Sequence, residues 1–426
     1  MDLIVRPSKA LNGVLSVPPS KSYTHRAIIL ASLAWGTSTV YNPLLSEDTL
    51  ASIEACRKIG AEIGIDKEKN IKIKGVFGIP KTPADAIDVK NSGTTLRIMT
   101  PVCSLCDEKV VLTGDESIRK RPMQPLLDAL EQLGVKTTSM AGLPPVSVLG
   151  PLGGGNCMIR GDISSQFISG LLIATPLAGK ETGIKVITDL KSRPYIDVTL
   201  DVINKFNGVV ERGQDSFRVE GEQVYKSTNY VIEGDYSSAA IVLAAAALTE
   251  SEVTIDNLQT ESKQGDRKIM DILRSMGANL QATEKAVTIT GSGDIYGVEV
   301  DLSDAPDIVP VVAVLGALAK GKTLIKNVGH LRFKESDRLK AMTTELKKMG
   351  ARIKEGKDFL EIHGVDALKG TKVHGWNDHR VVMCLAVAAL RAEGETIIDG
   401  AESIPVSFPD YVERMLELGA DMTIKT

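Results

Sequence analysis

Six times along the chain a short polar cluster opens directly into an apolar, Ala-rich helical run. The clusters are Ser20-Lys21-Ser22, Ser92-Gly93-Thr94, Ser164-Ser165-Gln166, Ser237-Ser238, Pro306-Asp307 and Asp378-His379-Arg380. They recur at intervals of roughly 70 residues, the kind of fixed period that marks repeated supersecondary units. A helix N-terminus carries unsatisfied N–H groups and the positive end of the helix dipole. Each opening is therefore an expected anion site. Several have Lys or Arg nearby, which points to small, highly anionic ligands.

A second pattern repeats at the same period. Amphipathic segments end in Gly at Gly60, Gly134, Gly208, Gly277, Gly350 and Gly419, each ahead of a short strand. Glycine after a helix supplies the left-handed conformation that terminates it. Each unit then holds one buried helix, one amphipathic helix and several short strands. Apolar runs on both sides of the strands predict α/β or α+β layering, not an all-helical solenoid.

At 426 residues the chain is too long for one ordinary core, so two domains are expected. Six units divide into three and three. The expected lobes are residues 19–234, and residues 1–18 together with 235–426, with a hinge near 18–20 and 233–237. Two crossings of that hinge would permit closure. The net charge of −4 and 4% aromatic content disfavour a nucleic-acid binder, which needs basic surface and stacking platforms. The apolar runs are too short to cross a bilayer. Met1 to Val5 reads as a strand that begins at once, so no leader peptide is expected. Five cysteines suit reduced thiols in a cytoplasm.

Metal and nucleotide motifs are weak. Cys103 and Cys106 have C-x-x-C spacing without a second Cys or His pair, and core packing explains them better. Gly150 to Gly155 lacks the Gly-Lys-Ser/Thr of a phosphate loop and reads as a turn before a strand. The cationic islands are more informative. Lys21 and Arg26 flank a helix start, and an ammonium with a planar guanidinium suits carboxylate and phosphate. Gly93 allows close approach of a ligand to backbone. Arg119-Lys120-Arg121 is an unusually basic stretch before a helix. Lys334 and Arg338 are expected four apart on one helical face, with Glu335 beside them.

These islands occur in order over essentially the whole length: Ser20-Lys21-Ser22 to Arg26, Asn91 to Arg97, Leu112 to Pro122, Ser164-Ser165-Gln166-Phe167, Lys334 to Leu339, and Asn377 to Arg380. The ordered set resembles the 5-enolpyruvylshikimate-3-phosphate (EPSP) synthase family of enolpyruvyl transferases. The resemblance implies a two-lobed inside-out α/β barrel, with six β-α-β-α-β-β units and pseudo-threefold symmetry in each lobe. It implies enolpyruvyl transfer from phosphoenolpyruvate to the 5-hydroxyl of shikimate 3-phosphate, through a tetrahedral adduct with release of phosphate. No cofactor or metal is implied, and no nucleic-acid or membrane partner; a cytoplasmic monomer is expected. Lys21, Gly93, Arg121, Gln166, Arg338 and Arg380 are implied to hold phosphoenolpyruvate. Lys21, Ser22, Arg26, Ser164, Ser165, Gln166, Ser192, Tyr195, Asp307, His330 and Lys334 are implied to hold shikimate 3-phosphate. Asp307 would accept the hydroxyl proton, and Glu335 and Lys21 are candidates for proton traffic at the methylene carbon.

Structural roles stand beside these. Asp307, Ser164 and Ser165 also suit helix caps. Asp337 suits a local pair with Lys340 or Arg338, and Ser192 to Tyr195 suits an ordinary turn with Tyr195 in the core. Asp48 and Asp235 are read as structural. Two departures from the family pattern are visible: Val406 stands where many members carry Lys, and His330 where many carry Asn. Retention of phosphoenolpyruvate is expected to be weaker as a result of the first. The related transferase that acts on UDP-N-acetylglucosamine usually carries a Cys in the basic loop, or an Asp in some members. No Cys lies between Asp115 and Pro122, and Asp115 and Glu116 are poor substitutes by context. An RNA 3′-phosphate cyclase needs a basic surface that this chain lacks. A non-catalytic anion-binding repeat protein explains the helix openings but not the combination of Asp307, Glu335 and Lys21.

Overall fold

Each polar opening starts a helix. In the computed structural model, which describes residues 1–425, the six buried helices alternate with the six amphipathic ones. In chain order they are α1 (Lys21–Leu33), α2 (Glu47–Lys58), α3 (Gly93–Cys103), α4 (Gln124–Gln132), α5 (Ser165–Ala174) and α6 (Arg193–Lys205). They continue as α7 (Tyr236–Ala247), α8 (Ile269–Ser275), α9 (Val309–Leu318), α10 (Arg338–Lys348), α11 (His379–Ala389) and α12 (Tyr411–Glu417). Every residue of α7 and α11 is buried, as expected for helices that are apolar on all sides. By contrast, α2, α4 and α6 bury one face only.

Among the described residues the strands form, besides one two-stranded sheet of Leu368–Lys369 with Ala392–Glu393, six four-stranded sheets that are all wired alike. In one, Asn229–Val231 pairs in parallel with Thr37–Tyr41, which pairs antiparallel with Ile71–Lys74, which pairs antiparallel with Glu62–Ile65. The other five repeat this order of one parallel and two antiparallel pairings. The fold is mixed α/β. No helix among the described residues is long and apolar enough to cross a membrane.

The chain divides into two compact units, an N-terminal unit from Pro19 to Ile232 and a C-terminal unit of Met1–Pro18 with the chain from Glu233 onward. Each has its own apolar core. In the N-terminal unit the helices close a ring of contacts: α1 on α2, α2 on α3, α3 on α5, α5 on α6, and α6 on α1. In the C-terminal unit α7, α9 and α11 touch one another, and α10 packs on α9 and α11.

Glycine ends five of the six amphipathic helices in the left-handed region; the exception is the third. There Asn207 adopts the positive φ of 65°, and Gly208 serves packing instead. A Cβ on Gly208 would stand 2.6 Å from the Tyr225 ring and 2.7 Å from Ile203 Cγ2.

Candidate active site

The anion-site reading of the six helix openings divides on inspection of the caps. Ser92 and Ser164 cap α3 and α5 through their hydroxyls, which accept the N–H groups of Thr95 and Gln166. The N-termini of α7 and α11 already hold an anion of the chain itself. The Asp235 carboxylate accepts the Ser238 N–H at 2.8 Å, and the Asp378 carboxylate accepts the Arg380 N–H at 3.0 Å. A carboxylate there satisfies the orphan N–H groups and the dipole together, so these two ends stabilise the fold.

In the N-terminal unit, Lys21 begins α1 and its Nζ donates to Asp48 Oδ2 at 2.8 Å. Asp48 lies in the first turn of α2 and is buried. Burial alone would raise its carboxyl, but the Lys21 ammonium and His25 outweigh that and bring it down to about 2. Arg26, one turn further along α1, is 1% exposed. Its guanidinium donates to Thr199 Oγ1 at 2.7 Å, Ser22 O at 2.9 Å, Tyr195 O at 3.1 Å and Ser169 Oγ at 3.3 Å. Four of its five N–H groups are thereby engaged, which fixes α1 against α5 and α6.

Arg121 follows a short 3-10 turn, Ile118–Lys120, and its guanidinium lies against the Gly93 backbone. Gln166 is oriented at both ends of its amide: Oε1 accepts from Arg97 Nη1 at 3.0 Å, and Nε2 donates to Thr94 Oγ1 at 2.8 Å. Ser165 is buried at the start of α5. Ser192 holds a left-handed conformation (φ 58°) at the start of α6. Tyr195 is half-buried, so it is not the core residue that the turn reading allowed.

In the C-terminal unit, Arg338 is the hub. It is 1% exposed and meets three carboxylates: Asp307 at 2.7 Å, Glu335 at 2.7 Å, and Asp378 at 2.9 Å through Nε. Burial disfavours its charge, but the three carboxylates prevail and hold the guanidinium firmly protonated. Arg380 Nη2 reaches the other oxygen of Asp307 at 3.2 Å. Asp307, in the 3-10 turn Pro306–Ile308, therefore sits between two arginines. Asp378 is fully buried and tied to Arg338, Ser336 and the Arg380 backbone. Burial would raise its carboxyl; the Arg338 charge instead holds it below the ordinary range. Close by, buried Asp266 is pushed up to about 7 by burial and by the Asp307 charge, against the opposing Arg380.

One expectation fails. Lys334 is not on a helical face with Arg338. It follows the 3-10 turn Gly329–Phe333 in an extended conformation, and α10 begins only at Arg338. Asp337 is the reason: its carboxylate accepts the Lys340 N–H at 3.1 Å and so sets the N-cap just before Arg338. It also pairs with Arg332 at 2.8 Å. His330 is buried within the 3-10 turn. Val406 is half-buried at the end of another 3-10 turn, Ala401–Val406, which packs on α11.

Asp48, Arg97, Asp266 and Asp378 were not singled out by sequence as site residues. The motifs that contain Arg97 and Asp378 were visible, but their roles were not. Asp48 and Asp266 lie outside those motifs and carry no local signal beyond position early in a helix or turn.

The family model for EPSP synthase (3-phosphoshikimate 1-carboxyvinyltransferase) matches residues 5–415. The 3-phosphoshikimate 1-carboxyvinyltransferase of Methanocaldococcus jannaschii is 50% identical over 428 residues, covering 99% of each chain. That of Methanothermobacter thermautotrophicus is 48% identical over 428 residues and 100% of each chain. Among solved structures, an EPSP synthase from Acinetobacter baumannii superposes with a TM-score of 0.85 at 30% identity, covering 100% of both chains. Matches over the whole length, in sequence and in fold, place this chain in the EPSP synthase family.

Proposed function

We infer that the chain transfers the enolpyruvyl group of phosphoenolpyruvate to the 5-hydroxyl of shikimate 3-phosphate and releases inorganic phosphate. In the addition step the methylene carbon takes a proton, the 5-oxygen bonds to C2 of phosphoenolpyruvate, and the hydroxyl proton leaves. In the elimination step the C2–phosphate bond breaks and a methyl proton is lost, which restores the enol ether.

The observation that carries this reading is Asp307 between Arg338 and Arg380. A carboxylate held by two guanidinium groups is a poor base. An incoming phosphate and carboxylate compete for the same N–H groups. As they displace Asp307 from its arginines, its basicity rises when the acceptor hydroxyl must lose its proton. Glu335, paired with Arg338, is subject to the same exchange. Lys21, Arg121 and Gln166, with the Gly93 backbone, complete the phosphoenolpyruvate set. Ser22, Arg26, Ser164, Ser165, Ser192, Tyr195, His330 and Lys334 serve shikimate 3-phosphate. The six like-wired sheets support the inside-out barrel with repeated units. The segments at 18–20 and 233–237 serve as the hinge, and the working form is a cytoplasmic monomer.

The test is phosphate release from phosphoenolpyruvate with shikimate 3-phosphate or UDP-N-acetylglucosamine in parallel. Release with shikimate 3-phosphate alone is expected. Release with the nucleotide sugar alone overturns the acceptor, and release with neither overturns the reaction. A Lys21→Met variant should lose turnover as well as affinity, whereas a simple binder would lose affinity only.

A further inference from the structure

Two successive non-glycine residues, Trp376 (φ 57°) and Asn377 (φ 50°), hold the left-handed region immediately before α11. They are the central pair of a turn closed by the Asp378 N–H, which donates to Gly375 O at 3.0 Å. A turn with both central residues left-handed is filled mainly by Gly, Asn and Asp. Asn377 suits it; the bulky Trp376 does not. A side chain kept in that region persists only where its surroundings hold it there, and such positions gather at functional sites. Here the turn leads straight into Asp378, which caps α11 and pairs with Arg338, and into Arg380, which reaches Asp307.

The turn is held from two sides. Glu345 lies on α10 about two helical turns beyond Arg338 and is 1% exposed. Its Oε1 accepts Trp376 Nε1–H at 2.9 Å. Its Oε2 accepts the His374 N–H at 3.0 Å and Lys348 Nζ at 2.7 Å. All three partners can only donate, so the place calls for two acceptor oxygens. From the other side Asp399, at the end of the strand Thr396–Asp399, accepts the Gly375 N–H at 2.7 Å and lies 2.6 Å from His374 Nδ1. Gly375 leaves no room for slack: a Cβ there would stand 2.2 Å from Asp399 O and 2.4 Å from Val382 Cγ2. Thus α10 meets the start of α11 at two points, Arg338 on Asp378 and Glu345 on the turn. The first is shared with the substrate anions, which compete for the N–H groups of Arg338. The second is bonded to the turn and to Lys348.

We propose that Glu345 is a positioning residue: it clamps the turn at 374–377 to α10 in its left-handed form, and so keeps Arg380 in register with Arg338 when phosphoenolpyruvate binds. The proposal rests on the roles given to Arg338 and Arg380 above. Without the clamp the turn relaxes toward an ordinary backbone conformation, and the first turn of α11 moves with it.

Glu345→Gln keeps the side-chain shape but sets an amide NH₂ against a donor. Trp376→Phe keeps a ring and removes the indole N–H, and it carries the test should the glutamine variant fold poorly. Each is expected to raise KM for phosphoenolpyruvate roughly tenfold, the scale of one hydrogen bond to a charged group, with kcat changed less. A contact that served stability alone would lower the melting temperature and the active fraction and leave KM where it was. Trp376→Gly separates the turn from the packing. Glycine takes a left-handed turn unaided, so its KM should stay nearer the native value than that of Trp376→Phe, although it removes more side chain. Packing alone gives the opposite order. An unmoved KM in both Glu345→Gln and Trp376→Phe overturns the proposal, as does a higher KM in Trp376→Gly than in Trp376→Phe. A readout independent of turnover is hydrogen exchange at the indole N–H of Trp376, one of two tryptophans, assigned with Trp376→Phe. Slow exchange in the native protein and fast exchange in Glu345→Gln are expected, and equal rates overturn the clamp. If native protein releases no phosphate with either acceptor, the reaction assignment fails, and the indole exchange still decides the clamp.

Discussion

Gly93 and Arg121 are in direct contact: a Cβ built on Gly93 would stand 2.2 Å from Arg121 Nη1 and 3.1 Å from its Cζ. The first helical residue of α3 thus has to be glycine for the guanidinium to lie where it does. The clash is with the far end of a flexible side chain, so Gly93→Ala should leave the fold intact and shift Arg121. We expect KM for phosphoenolpyruvate to rise about tenfold, the scale of one weakened charge-assisted hydrogen bond. The melting temperature should be nearly unchanged. Steady-state kinetics beside a thermal melt checks both.

Asp378 is wholly buried, and Arg338 beside it is nearly so. Removing one member of a buried pair leaves an uncompensated charge, which costs about 3–5 kcal/mol. Asp378→Ala also loses the cap of α11. Two other carboxylates still face Arg338, which places the expected loss toward the lower figure. Denaturant unfolding of the two proteins measures it.

His25 gives the stability a pH dependence of predictable sign. Burial holds its folded-state value at about 4, below the ordinary 6.5, so the unfolded chain binds the proton more readily. Its contribution is complete above about 6.5 and is lost as pH falls toward 4. Asp48, held at about 2 against an ordinary 3.8, adds a second loss between those values. His25→Gln should abolish the first decline and leave the second. Unfolding midpoints between pH 7 and pH 2 test this.

Val406 lies in the turn that packs on α11, the helix that carries Arg380 near its start. Valine offers no donor to an anion. Val406→Lys should lower KM for phosphoenolpyruvate several-fold, about the weight of a partly exposed charge contact. An unchanged KM would mean that the position does not meet the ligand.

Much of this architecture was legible in the sequence. The openings at Lys21, Gly93, Ser165, Ser237 and His379 coincide with helix starts or lie within one residue of them, and Pro306-Asp307 opens a 3-10 turn that leads into the helix at Val309, because capping and apolar periodicity act over a few residues. The misplacement of Lys334 shows where local reading ends. The helical spacing from Lys334 to Arg338 was real in sequence, but Asp337 captured the Lys340 N–H and began the helix later. Two competing local signals were present, and spacing alone did not rank them. The same holds for Gly208, where Asn207 took the left-handed turn and glycine was needed for the Tyr225 ring.

By itself the sequence determined the period, the helix openings, the inventory of cations and the family. These depend on residue type and short-range order. Only the tertiary structure decided which carboxylate answers each cation. Asp48 meets Lys21 from 27 residues away, Asp307 meets Arg338 from 31, and Asp378 meets Arg338 from 40. Ser52 and Thr95 join His25 to Ser92 only because α1, α2 and α3 pack together. Hydrogen bonds and buried ion pairs act over about 3 Å, and which helix ends come within that distance is set by how the apolar faces pack.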